Sequence, residues 1–98
     1  MAAKIVISNG ESAGLEYEIV AEETLIGRNP TTDVTLLDEN ISREHALILF
    51  DSECDAYVVE DLQSTNGTKV NGKGIRSHEL APGDEIQIGH TKFSFQRD

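Results

Sequence analysis

Hydrophobic and polar residues alternate along the chain in short runs, and turn-forming residues interrupt them. Leu15-Glu16-Tyr17-Glu18-Ile19 puts an apolar side chain at every second position, the period of a strand with one buried face. Lys4-Ile5-Val6-Ile7-Ser8, Glu85-Ile86-Gln87-Ile88-Gly89 and Lys92-Phe93-Ser94-Phe95 repeat that pattern. Ala46 to Phe50 and Ala56 to Val59 are continuously apolar, which suits interior strands of a sandwich. Ile41 to Phe50 contains tolerable helix residues but no amphipathic stripe, so it is predicted to be loop followed by strand. Asn9-Gly10, Asn66-Gly67 and Asn71-Gly72 supply residues that tolerate positive φ, as hairpin turns require. Ala81-Pro82-Gly83-Asp84 fits a type II turn, with Pro fixing the second position and Gly the third. Strand-like runs about 8–12 residues apart predict an all-β sandwich or barrel, here one compact domain over residues 1–98.

Composition narrows the function classes. The chain has 98 residues, 27% of them charged and 38% hydrophobic, a globular balance with room for one modest core. No apolar run approaches the roughly 18 residues a membrane span needs, and Met1-Ala2-Ala3-Lys4 carries no signal-peptide core. A single cysteine, Cys54, forms no internal disulfide, so the expected compartment is the cytoplasm. The net charge of −10 argues against nucleic acid or an anionic membrane as partner. Its distribution is uneven, however. Residues 64–78 hold Lys69, Lys73 and Arg76 and no acidic residue; with Arg28 and Arg43, five of the eight basic residues fall between positions 28 and 76. One region is therefore cationic on an anionic chain, which focuses an anion onto one place.

Enzyme signatures are absent: there is no Gly-x-Ser-x-Gly, Gly-x-Gly-x-x-Gly or phosphate-loop motif. Ser42, His45 and Asp61 are the residue types of a nucleophilic triad, but Ser and His three apart without elbow glycines arise readily by chance. Three histidines and one cysteine lack metal-ligand spacing, and Asp51-x-Glu53-x-Asp55 lacks the Gly and Glu that a calcium loop requires. The expectation is a non-catalytic chain without metal or other cofactor.

What remains is polar and sits at predicted strand ends: Gly27-Arg28, Ser42-Arg43-Glu44-His45, and Asp61 to Gly72. Guanidinium forks together with Ser and Thr hydroxyls suit a phosphate dianion. Asn66 offers an amide donor and a carbonyl acceptor to a peptide main chain.

In this order the segments resemble the forkhead-associated (FHA) domain, a phosphothreonine-recognition module. The resemblance rests on Gly27-Arg28 followed by Asp33-Val34-x-Leu36, then Ser42-Arg43-x-His45, Asp61-Leu62-x-Ser64-Thr65-Asn66-Gly67-Thr68 and Gly83-Asp84-x-Ile86-x-Ile88-Gly89. No departure falls within the binding motifs. The resemblance implies a β-sandwich of two mostly antiparallel sheets and about eleven strands, with termini close together and binding loops at one end. It implies that Arg28, Ser42, Arg43 and Thr65 form the phosphate site and that Asn66 holds the main chain flanking the phosphothreonine. Gly27, His45 and Gly67 take structural roles, and Asn40 lies where family members vary with the residues read after the phosphothreonine. The implied partner is a phosphothreonine-containing protein or peptide in kinase-linked signalling, met by a domain that is monomeric in isolation.

Blander readings stand beside these. Arg28 as a plain surface charge, Ser42 as a loop fastener, Arg43 paired with Glu44 or Asp38, and Thr65 as a turn residue all fit the sequence. Lys69, Lys73 and Arg76 fit solvated hairpin charges. The alternative function is a phospho-independent interaction or oligomerisation scaffold of the same fold.

Overall fold

The computed structural model describes residues 3–98. These residues form eleven strands and no helix. In chain order they are β1 (Ala3–Ile7), β2 (Glu16–Glu18), β3 (Glu23–Gly27), β4 (Val34–Thr35), β5 (Ala46–Asp51), β6 (Ala56–Asp61), β7 (Thr68–Val70), β8 (Lys73–Ile75), β9 (Ser77–Glu79), β10 (Glu85–Ile88) and β11 (Thr91–Arg97). A six-stranded sheet in the order β2-β1-β11-β10-β7-β8 packs on a five-stranded sheet in the order β4-β3-β5-β6-β9. Pairing is antiparallel except between β3 and β4, which run parallel. The expected sandwich is the observed one.

Alternation builds the core. Ile5 lies opposite both Phe95 and Tyr17, and Ile86 opposite both Phe93 and Val70, so inward-facing residues stack across neighbouring strands. Phe93, Phe95, Ile5, Ile86 and Ile88 from one sheet meet Ile26, Ile48 and Val59 from the other, all fully buried. Burying one such side chain contributes about 1.5–3 kcal/mol, so the alternating pattern also fixes the register. Register pairing of Ala3 with Arg97 brings the two described ends of the chain together.

Some sequence expectations change in detail. The run from Leu15 to Ile19 yields only the three-residue edge strand β2, and Leu15 stays half exposed. Ala46 to Phe50 forms β5 at the centre of its sheet, yet only Ala46 and Ile48 are sealed in the core. Leu47 and Leu49 lie half-buried on the opposite face, because no further layer covers that side of the sheet.

The turns divide in the same way. Asn71 (φ 52°) and Gly72 (φ 84°) close the β7–β8 hairpin, and Asp84 N–H donates to the Ala81 carbonyl at 3.0 Å around Gly83 (φ 93°). Asn66-Gly67 and Asn9-Gly10 close no tight hairpin. The former carries the chain from β6 in one sheet to β7 in the other. The latter belongs to a longer loop, where Asn9 Nδ2 donates to the His90 carbonyl at 2.8 Å. Among the described residues no helix is long and apolar enough to cross a membrane.

Candidate functional site

Three loops meet where β5 begins and β6 ends: residues 28–33, 36–45 and 62–67. Backbone bonds fasten the first two. His45 N–H donates to the Ile26 carbonyl at 2.9 Å, Arg28 N–H to Ser42 at 3.0 Å and Asn29 N–H to Arg43 at 3.1 Å, so the β3–β5 ladder runs on past the sheet. Such close approach dictates Gly27, since a Cβ there would lie 2.1 Å from the Arg43 carbonyl oxygen. The buried Thr32 hydroxyl gathers carbonyls of the first loop, with Asn29 at 2.7 Å. Asp33 accepts the Leu25 N–H at 2.8 Å and sets β4 beside β3.

His45 joins the second loop to the third. It is fully buried: Nδ1 accepts the Ser42 N–H at 3.0 Å, while Nε2 lies 2.9 Å from the Gly67 carbonyl. Accepting at Nδ1 leaves the proton on Nε2, so the neutral imidazole donates to Gly67. Ser42 Oγ accepts the Thr65 N–H at 3.0 Å, and Asn66 Nδ2 donates to the Asn40 carbonyl at 2.9 Å. Gly67 turns the chain with φ 82°, a conformation costly for residues with a Cβ.

Carboxylates hold the framework. Asp61 accepts from the Ser64 hydroxyl, from Ser64 N–H at 3.2 Å and from Thr68 Oγ1 at 2.8 Å. Burial alone would raise this carboxyl, but the bonds from Ser64 and Thr68 outweigh it and hold it below the ordinary value. The Asp38 carboxyl is also lowered, chiefly by the Asn40 N–H and further by His90 N–H, despite some burial. Asp38 thereby ties the second loop to the β10–β11 turn, with His90 Nδ1 at 3.3 Å.

All five candidate binding residues and the three supporting ones lie in or beside this loop cluster. Arg28, Arg43, Thr65 and Asn66 are exposed and Ser42 is half-buried. Arg28 Nε donates to the Ile41 carbonyl at 3.0 Å, which aims the guanidinium while its terminal amino groups have no partner among the described residues. Arg43 forms no ion pair with Glu44 or Asp38. Lys4, Lys92 and Arg97 each pair with a carboxylate, whereas Arg28, Arg43, Lys69, Lys73 and Arg76 pair with none among the described residues. Next to Asn66 a groove of about 260 Å³ is lined by Asn40, Gly67, Lys69, Gln87 and His90.

A nucleophilic triad is not assembled. His45 meets the Ser42 backbone rather than its hydroxyl, and Asp61 serves Ser64 and Thr68. Asp51 likewise caps the β5–β6 turn through Glu53 N–H at 3.0 Å. Sequence reasoning missed Asp38, Ser64 and His90 as parts of the framework. Asp61-x-x-Ser64 carried a readable signal, a short polar side chain folding back on its own loop. Nothing local announces His90, whose contacts span 50 residues or more.

Known proteins supply the context. Residues 24–89 match the family model of the FHA domain. The oxoglutarate dehydrogenase inhibitor of Corynebacterium jeikeium is 41% identical over 93 residues, covering 95% of this chain and 63% of that protein. The chain thus spans about three-fifths of that relative's length. An FHA structure solved to study phosphothreonine-dependent FHA domain interactions superposes with a TM-score of 0.90 and 30% identity, covering 100% of this chain and 98% of the other. Mycobacterium tuberculosis EmbR, in complex with a low-affinity phosphopeptide, superposes with a TM-score of 0.87 and 35% identity over 97% of this chain and 24% of EmbR. With its sandwich, its linked loops and a family match over most of its length, this chain belongs to the FHA domain family.

Proposed function

We propose that residues 1–98 act as a single, monomeric, non-catalytic domain that binds phosphothreonine-bearing segments of partner proteins in kinase-linked signalling. The observation that carries this reading is the state of Arg28. Its Nε is spent on Ile41, its terminal amino groups have no partner among the described residues, Ser42 lies in the loop fastened to its backbone, and Thr65 is held to the Ser42 hydroxyl from the third loop. A phosphate dianion offers three acceptor oxygens to this set. In the proposed complex Arg28 takes two oxygens, the Ser42 hydroxyl donates its proton to a third, and Arg43 and Thr65 complete the shell. Asn66, whose Nδ2 already holds the Asn40 carbonyl, keeps its Oδ1 for a main-chain N–H of the ligand. Gly27, His45 and Gly67 hold the loops in place. Pre-orientation matters because ordering a long side chain at the moment of binding costs about 0.5–1.5 kcal/mol.

The free thiol of Cys54 fits a reducing compartment, so the same reading places the chain in the cytoplasm. Arg28→Ala is expected to weaken phosphothreonine-peptide binding by about 2–5 kcal/mol while the chain stays folded, its melting temperature lowered only by loss of the bond to the Ile41 carbonyl. Calorimetric titration of both proteins tests this, and an affinity unaltered by the substitution would refute the site assignment.

A further inference from the structure

Strands β2 and β4 are edge strands on one side of the sandwich, as β8 and β9 are at the other ends of the two sheets, and two grooves run along the seam between β2 and β4. Leu15, Tyr17 and Leu37 line one, of about 460 Å³; Tyr17 and Val20 line the next, of about 320 Å³. Leu15, Val20 and Leu37 are the large hydrophobic residues left exposed among the described residues, at 49%, 86% and 90%. All three therefore converge on one side of the sandwich. No lysine or arginine lines either groove, whereas Glu11, Glu16, Glu18, Glu23, Asp33 and Asp38 do.

Register gives this side a direction. Tyr17 pairs with Ile5 and faces the seam, while Glu16 and Glu18 pair with Val6 and Lys4 and face outward. The outer edge of β2 pairs with nothing among the described residues, so its backbone groups can accept a further strand. Two copies of β2 meeting edge to edge would set Glu16 and Glu18 against each other, an unfavourable like-charge pairing that Lys4, paired with Glu16 at 3.0 Å, offsets only in part. A cationic segment meets no such penalty.

We propose that this edge is a second interaction surface. It takes an extended segment of a partner protein in which apolar residues alternate with lysine or arginine. The segment adds as a strand beside β2, its apolar side chains entering the seam against Tyr17, Leu15 and Leu37, and a cation lying by Glu18, since Glu16 already pairs with Lys4 at 3.0 Å. This surface involves none of Arg28, Ser42, Arg43, Thr65 or Asn66, so it stands independently of phosphate recognition.

The test uses a capped ten-residue peptide alternating Val and Lys, with a Lys/Ser peptide of equal charge as control and backbone amide shifts as readout. The expected result is that Val/Lys shifts residues 15–20 and 33–37 and binds more tightly than Lys/Ser. Leu15→Ser/Leu37→Ser, both changes on exposed side chains, should weaken it by about fivefold or more, and Glu18→Lys should weaken it too. Melting temperature and phosphothreonine-peptide affinity should stay unchanged in both variants. Equal binding of the two peptides, or shifts spread over the whole acidic surface, would overturn the proposal by reducing it to net charge. Concentration-dependent dimerisation that protects the β2 amides would overturn it in favour of a second copy. Absence of any shift would overturn it outright.

Discussion

At the scale of single residues, the site depends on contacts that admit little substitution. Gly27 is required by crowding rather than by its own backbone angle, because the Arg43 carbonyl occupies the space of its Cβ. Gly27→Ala is therefore expected to destabilise the chain by about 1–3 kcal/mol, read as a lower urea midpoint. An unchanged midpoint would mean that the two loops separate at no cost. His45 is fully buried and uses both ring nitrogens, so His45→Ala leaves the Ser42 N–H and the Gly67 carbonyl without their partner. Each unsatisfied group costs about 1–3 kcal/mol. Affinity for a phosphothreonine peptide should fall with that stability, in contrast to Lys73→Ala on the exposed hairpin, which should change neither. Equal behaviour of the two variants would contradict the role given to His45.

Among elements, the turns and loops carry the information that strands do not. The β7–β8 hairpin needs positive φ at Asn71 and Gly72, so Gly72→Ala should cost about 1–2 kcal/mol in denaturant unfolding. Three carboxylates in or beside the loops, Asp38, Asp61 and Asp84, are held below their ordinary values in the folded chain. For Asp84 burial acts upward, and bonds from Ala81, Asn71 and His78 outweigh it. As pH falls, the unfolded chain thus takes up protons first. The stability from these groups is complete above about pH 4 and is lost as pH drops through the lower folded values. Asp61→Asn should flatten that acid limb in pH-dependent unfolding, and an unaltered limb would contradict the network around Ser64 and Thr68.

Alternation made β1, β10 and β11 legible, because each has one face sealed against the core. Apart from β2, the two- and three-residue strands β4, β7, β8 and β9 are shorter than one period test can resolve, and pairing with neighbours alone defines them. The positions of Arg28, Ser42 and Asn66 were legible through their motif. Asn66 bonding to Asn40, and His90 docking against Asp38, were not, since each contact joins segments far apart in sequence.

For the whole molecule, the net charge of −10 conceals a division. Among the described residues the three basic residues outside the span from 28 to 76 are paired and the five within it are not; Arg28 and Arg43 stand in the loops and Lys69 lines the groove beside Asn66, so unpaired cations gather at the loop end. Raising salt should therefore weaken phosphopeptide binding, even though the protein and its ligand are both anionic overall. Binding should also weaken as pH falls through the second phosphate pKa near 6, where the dianion becomes a monoanion. A flat affinity profile between about pH 5 and 8 would count against dianion recognition. The most direct test of phosphothreonine recognition is calorimetric titration of the wild-type chain with a peptide selected from a degenerate phosphothreonine library, alongside the same peptide without its phosphate. Saturable binding of the phosphorylated peptide alone is the predicted result, and equal affinity for the two would contradict it.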